Sequence, residues 1–467
     1  MTEAPSPSGD LADLSAVDLL AAFRSREASP VDVIQAVFRR IEAWEPKLCA
    51  LYDFRPEEAL GTARDAEARW MRGEARALEG VPVSIKENIA TKGAKMPLGT
   101  AARELAAAAT DAPPAARLRE AGAVIFAKTT MPDYGMLSSG LSSFHPLTRN
   151  PWDLSKTPGG SSAGAGAAAA AGYGPLHLGT DIGGSVRLPA GWCGIVALKP
   201  SFGRVPVDPP YWGRVAGPMT RTVADSALMM RELSRSDARD GMSLPPADLR
   251  FDRLDRDLKG IRIGLWRDPG IGMAVDPEID QAVVSAARLF ETAGAIVEPV
   301  RPFMTRAMLD GLDAFWRQRA WADIVLLSEA ERARILPYIL QWAEPGRSLT
   351  GADVYRGLSQ IGAIRDATLA ATGSYDAVLS PVAPVAAFPA EMASPLDDPS
   401  RPFEHIGFTV PYNFSEQPAA SLPCGMTSGG LPIGLQIAGR RFDDEGVLAL
   451  AAAYETMREP LPAWPRS

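Results

Sequence analysis

Near the start of the chain the apolar positions return every three or four places: Leu19, Leu20 and Phe23, then Val31, Val33, Ile34, Val37 and Ile41. That period belongs to helices with one buried stripe each. Ser15-x-x-Asp18 and Ser29-Pro30-x-Asp32 stand directly before the stripes as N-caps, the second with proline at the first helical position. Residues 1–12, rich in Pro, Ser and Asp, predict loose chain, and residues 56–78, rich in Ala, Arg and Glu, predict another helix. The pattern then changes. Gly80–Ile89 reads as a short apolar strand carrying Lys86 near its end, and residues 111–121 as a helix closed at Gly122. Val124–Lys128 follows as a strand, which makes a helix-to-strand α/β step.

From Met131 to Pro158 the Ser, Gly, Pro and Asn content predicts loop. Ala163–Ala171 is a small-residue helix closed by Gly172, which puts Ser161 and Ser162 at its positive end. Thr222-x-x-Asp225 opens a helix to about Leu233, and the polar stretch 234–257 reads as a connection. Further on, the pattern predicts strands over 261–265 and 377–379 and a helix over 276–293. Residues 304–345 read as helices rich in Trp and Leu. Ala420–Cys424 and Ile433–Ala438 pair as strands around Thr427-Ser428-Gly429-Gly430, and a last helix covers 443–458. No internal repeat is visible, and the fold class is α/β.

Composition narrows the class. At 467 residues, 46% apolar and 22% charged, the chain can bury a large core; its length fits two or three domains or one large α/β enzyme. A net charge of −8 without a basic block argues against nucleic acid as a partner. Three cysteines, Cys49, Cys193 and Cys424, lack metal-ligand spacing and read as free thiols in a reducing compartment. With no signal-like start and no long apolar run, a soluble, cytoplasmic protein is expected, off the membrane. No metal or cofactor is expected. His145 and His177 lie outside any metal-binding pattern and read as structural; Cys193 and Cys424 read as core.

The chemistry concentrates in two serine sites, each preceded by paired glycines: Gly159-Gly160-Ser161-Ser162 and Ile182-Gly183-Gly184-Ser185. Glycines let the backbone approach a ligand closely, and successive N–H groups make a concavity for negative charge, as an acyl-transfer oxyanion requires. Ser185 therefore reads as a nucleophile seated in its own oxyanion hole, formed by the amides of Ile182, Gly183, Gly184 and Ser185. Lys86 has two readings, a solvated charge or an amine whose apolar neighbours depress its pKa from about 10.4.

The motifs, in order, resemble the amidase signature family. The match runs from Gly80-Val81-Pro82 with Lys86, through Arg149-Asn150-Pro151-Trp152 and Pro158–Ser162, to Asp181-Ile182-Gly183-Gly184-Ser185-Val186-Arg187. It continues through Cys193-Gly194, Leu198-Lys199-Pro200, Gly203–Pro206, Gly217-Pro218-Met219 and Leu431–Gln436. The resemblance implies one large α/β domain with a central mixed sheet covered by helices. Residues 1–75 would be helical arms packed on a catalytic domain of 76–467, with 304–345 covering the pocket. It implies a Ser-Ser-Lys triad: Ser185 as nucleophile, Ser161 as bridging serine on a cis peptide bond, and Lys86 as base. Asp181 and Arg187 would fix the oxyanion loop, and Gly135, Met136 and Leu137 would border the acyl site. Trp212 is either a pocket wall or surface packing.

The activity that the resemblance implies is that of an amidase acting on a small-molecule amide, with esters, carbamates (urethanes) and anilides within the family's reach. The Trp- and Leu-bearing 304–345 region points to a hydrophobic or aryl substrate, and the expected state is a monomer or homodimer. Glu87 stands where many relatives have Asp, and Ser161-Ser162-Ala163-Gly164 replaces Ser-Ser-Gly-Gly. Two rivals remain among catalysts. One is a glutamine amidotransferase subunit that passes ammonia to a partner, although Ser138–Phe144 is not clearly the loop of such a subunit. The other reads Gly160-x-Ser162-x-Gly164 as a nucleophile elbow with His405 as base. Both the elbow and a dinucleotide reading of Gly164-x-Gly166-x-x-Ala169 need a preceding strand, which Thr157-Pro158-Gly159 does not make.

Overall fold

A computed structural model describes residues 10–465. The expectation for residues 1–12 falls mostly outside them; Leu11–Asp13 form one 3-10 turn capped by Asp10. The helix starts read from the sequence are present. Ser15 accepts from the amide of Asp18, Ser29 and Asp32 close a capping box, and Thr222 accepts from the amide of Asp225. The resulting helices are Ala16–Ser25, Pro30–Leu48 and Val223–Leu233. The helix expected over 56–78 ends earlier, at Arg72, because Gly73 takes a left-handed conformation that returns its N–H to the last turn.

Eleven strands make a single sheet. In chain order they are β1 (Leu51–Tyr52), β2 (Pro82–Lys86), β3 (Val124–Thr129), β4 (Leu176–Asp181), β5 (Val196–Lys199) and β6 (Val215–Thr220). There follow β7 (Arg262–Leu265), β8 (Ile296–Pro299), β9 (Ala377–Pro381), β10 (Ala419–Met426) and β11 (Pro432–Gly439). Their spatial order is β1-β3-β2-β4-β6-β5-β10-β11-β9-β7-β8. The β3-β2-β4 and β9-β7-β8 groups are parallel, and the middle of the sheet is antiparallel. This is a single α/β domain with a mixed sheet flanked by helices.

Four elements near the serine sites go unassigned in the sequence reading: β4, β5, β6 and the helix Arg187–Cys193. All their residues are buried, so no polar face marks a period. The helix Gly351–Thr372 is also unassigned, although Thr350 and Asp353 form a capping box of the kind that marks Pro30–Leu48.

The parallel pairing of β2 with β4, in register at Ile85 and Leu178, brings the carboxyl ends of both strands to one edge. Crevices outside such strand ends are where open α/β sheets hold ligands. Lys86 ends β2 and Asp181 ends β4. The helix Ala163–Ala171 packs under this edge, and its composition follows from the space available. A Cβ on Gly164 would lie 2.1 Å from the carbonyl oxygen of Ala50. Every residue of that helix is buried.

Candidate active site

β2 delivers Lys86 into an interior from which water is excluded: its relative exposure is 0%. Nζ donates to Ser161 Oγ at 2.8 Å and to Ser162 Oγ at 3.0 Å. No carboxylate of the described residues lies within ion-pair distance of it. Burial, and after it the Arg214 guanidinium, hold the amine well below the ordinary lysine pKa; Asp181 and Glu87 pull the other way without prevailing.

The Gly160–Ser161 peptide bond is cis. Ser161 is 4% exposed, with Gly135 close by: a Cβ there would lie 3.3 Å from Ser161 Oγ. Ser162 is turned the other way, accepting from the amide of Thr180 at 3.3 Å and donating to its carbonyl at 3.2 Å. Ser162 N–H bonds the carbonyl of Ser185 at 3.1 Å, which joins the two serine loops directly. Ser185 itself is half-buried and borders a cavity. Exposure thus increases from Lys86 through Ser161 to Ser185.

Asp181 and Arg187 shape the loop between β4 and Ser185. Arg187 Nη2 lies 2.9 Å from Asp181 Oδ1 and Nε 3.1 Å from Oδ2. Arg187 also donates to the Thr409 carbonyl, Gln436 Oε1 and Asn413 Oδ1, so its charge is fully engaged. Burial alone would raise the Asp181 pKa; the guanidinium beside it, Asn413 and the Val186 amide hold it below the usual range instead. Asp181 also accepts from the amides of Gly184, at 2.8 Å, and Val186, at 3.1 Å. The Gly184 amide is therefore already bonded inward, and Ile182, Gly183 and Ser185 are the loop residues at the cavity wall. Only glycine fits at 184: its φ is +128°, and a Cβ would lie 2.7 Å from Thr409 Oγ1.

Gly135, Met136 and Leu137 line the same cavity, beside Leu188, Trp316, Phe403, Ile406 and Arg319. Trp212 is outside that lining and packs edge-on against Phe414, with ring centroids 5.8 Å apart. His405 is buried against Trp192, and burial lowers its pKa to about 3; it makes no hydrogen bond to Ser162, whose hydroxyl belongs to Lys86 and Thr180. His145 pairs with Glu87 at 2.6 Å, and His177 with Ser84 at 2.7 Å. Among the described residues no group of three or more His, Cys, Asp or Glu side chains is arranged to hold a metal, and no helix is long and apolar enough to cross a membrane.

Sequence reasoning passed over two residues of this site, Arg319 and Arg214, and read a third, Ser162, only as the nucleophile of the elbow. Ser162 carries no signal that separates it from Ser161. Arg319 lies in a segment without a catalytic motif. Arg214 follows Trp212 in a loop whose fold is long-range.

Comparison with known proteins identifies the family. The model of the Amidase family matches residues 32–448. The chain is 34% identical to the acylamidase of Rhodococcus erythropolis, covering 95% of each. It is also 34% identical to a glutamyl-tRNA(Gln) amidotransferase subunit of Myxococcus xanthus, covering 95% of this chain and 97% of that protein. Among solved structures, a bacterial aryl acylamidase of the amidase signature enzymes superposes with a TM-score of 0.87 at 29% identity, covering 95% of this chain and 96% of that one. The chain belongs to the amidase family, whose enzymes hydrolyse C–N bonds.

Proposed function

We propose that this member of the amidase family hydrolyses a hydrophobic or aryl amide on its own, through an acyl-enzyme on Ser185. A serine hydroxyl becomes a nucleophile only when a base takes its proton. Lys86, uncharged through burial, takes the proton of Ser161 as Ser161 takes that of Ser185. The Ser185 oxygen then bonds to the substrate carbonyl carbon. The oxyanion that forms is received by the amides of Ile182, Gly183 and Ser185, while the Gly184 amide holds the loop to Asp181. Collapse breaks the C–N bond, and the proton returns through Ser161 to the leaving nitrogen. Water then enters, loses a proton by the same route and releases the acid.

The observation that carries this reading is the wholly buried Lys86 amine, bonded to Ser161 and facing no carboxylate. Met136, Leu137, Leu188, Trp316, Phe403 and Ile406 support a hydrophobic or aryl substrate. Esters and carbamates present the same carbonyl to Ser185 and belong to the same reading. A glutamine amidotransferase role, raised by the Myxococcus xanthus relative, fits the cavity less well, because its lining contains no carboxylate for glutamine's ammonium. Three free cysteines accord with a cytoplasmic setting, and a monomer or homodimer suffices for a site built within one chain.

A panel of primary amides, anilides, esters, carbamates and glutamine, run with the wild type and Ser185→Ala, tests the proposal. Anilides or long-chain amides should turn over faster than acetamide and glutamine, and Ser185→Ala should abolish turnover. Undiminished activity of Ser185→Ala, or glutamine as the preferred substrate, would refute it.

A further inference from the structure

We infer that Arg319 selects substrates bearing a carboxylate away from the scissile bond. The inference rests on the reading of the Ser185 cavity as the active site. The helix Arg306–Ile324 presents Trp316 and Arg319, three residues apart, on one face, and both line the cavity that Ser185 borders. Two other arginines of this helix are engaged by acids: Arg306 by Glu404 and Asp310, and Arg317 by Asp313. Arg319 is different. Among the described residues no carboxylate lies within ion-pair distance of it.

What holds Arg319 is Tyr211, whose ring centroid lies 4.1 Å from the guanidinium carbon. A ring face steadies a guanidinium and leaves its positive charge without a counter-charge. The loop that positions Tyr211 also holds Arg214, whose backbone amide donates to the Tyr211 carbonyl at 2.9 Å. The Arg214 side chain reaches the carbonyls of Pro209, at 3.4 Å, and Asn88, at 3.5 Å, and among the described residues has no acid within ion-pair distance. The Arg319 guanidinium, resting on the Tyr211 ring at the wall of a cavity without a single Asp or Glu in its lining, gives that wall a positive field. Partly buried cations without counter-ions are costly, and a bidentate anion brought by the ligand relieves that cost. Apart from Ser138, Ser185 and glycine backbone, the remaining lining is apolar. The ligand that fits combines an aryl or alkyl body with one anionic group and no ammonium.

Two matched pairs of substrates test this. On the acyl side, glutaryl 4-nitroanilide is compared with pentanoyl 4-nitroanilide, which exchanges the carboxylate for a methyl group. On the amine side, N-butyryl-4-aminobenzoate is compared with the N-butyryl toluidide. The carboxylated member of one pair should have a kcat/KM higher by about tenfold, carried by KM, the worth of one charge-assisted hydrogen bond. Added salt should shrink the advantage. In Arg319→Gln the ratio should collapse towards one, in Arg319→Lys it should survive in part, and in Arg319→Glu an ammonium-bearing analogue should become the preferred member. Calorimetric binding of the same pairs to Ser185→Ala gives the preference independently of turnover, and thermal melts establish that each variant is folded. Equal constants for both members of both pairs, or a preference that outlasts Arg319→Gln, overturns the inference and leaves the amidase mechanism standing. Failure of the mechanism itself registers separately, as turnover by Ser185→Ala.

Discussion

Replacing Ser162 by Ala asks whether the second hydroxyl of the serine pair aims Lys86, the proposed base. Ser162 Oγ gives its proton to the carbonyl of Thr180, at 3.2 Å, so towards Lys86, at 3.0 Å, it can only accept. That bond and the one to Ser161, 2.8 Å away, together hold the amine against the serine pair. All these groups are buried, and Ser162 is outside the cavity lining. Removing the hydroxyl strands a buried amine N–H, which costs about 1–3 kcal/mol. If that cost is felt in the transition state, at about 1.4 kcal/mol per decade, kcat falls between about 5- and 150-fold. Steady-state kinetics on a 4-nitroanilide read the effect, with KM expected to hold within about twofold because no substrate contact is lost. An unchanged kcat, or a loss that appears in KM alone, would refute the assignment of Ser162 as the residue that orients Lys86.

Two further predictions concern the charge state of Lys86. Lys86→Met should lower kcat by about 10²- to 10⁴-fold, the usual worth of a general base. Its melting temperature at pH 7 should hold or rise: with the folded amine depressed, the unfolded chain binds the extra proton, so this group's penalty on stability is present at neutral pH and is relieved only as pH climbs towards 10.5. A clear drop in melting temperature would contradict that sign. Arg214→Met removes the cation that, after burial, depresses Lys86; the amine's pKa should go up and the acid limb of the kcat profile should move to higher pH. A limb that stays in place, or moves the other way, would sever Arg214 from the lysine.

Much of this architecture is legible locally. Helix starts are readable because a cap is a contact between neighbours: Ser29 and Asp32 bond each other whatever else the chain does. The Gly/Ser blocks are readable because a backbone that bends so sharply tolerates few other residues, as Gly184 illustrates. Buried strands are harder to read. In β4 every side chain is enclosed, so Leu176-His177-Leu178-Gly179-Thr180-Asp181 shows neither alternation nor a continuous apolar run.

What the linear order determines here is a set of local commitments: capped helices, glycine turns, and hydroxyls placed where a helix begins. It does not bring Lys86 to Ser161, 75 positions apart, or turn Arg319 into the Ser185 cavity. Those meetings depend on β2 and β4 lying parallel with their ends together, and on a helix from the far half of the chain bringing Trp316 and Arg319 to the cavity. A pKa depressed by burial has the same origin, because dehydration is a property of the whole packed interior and no short stretch of sequence contains it.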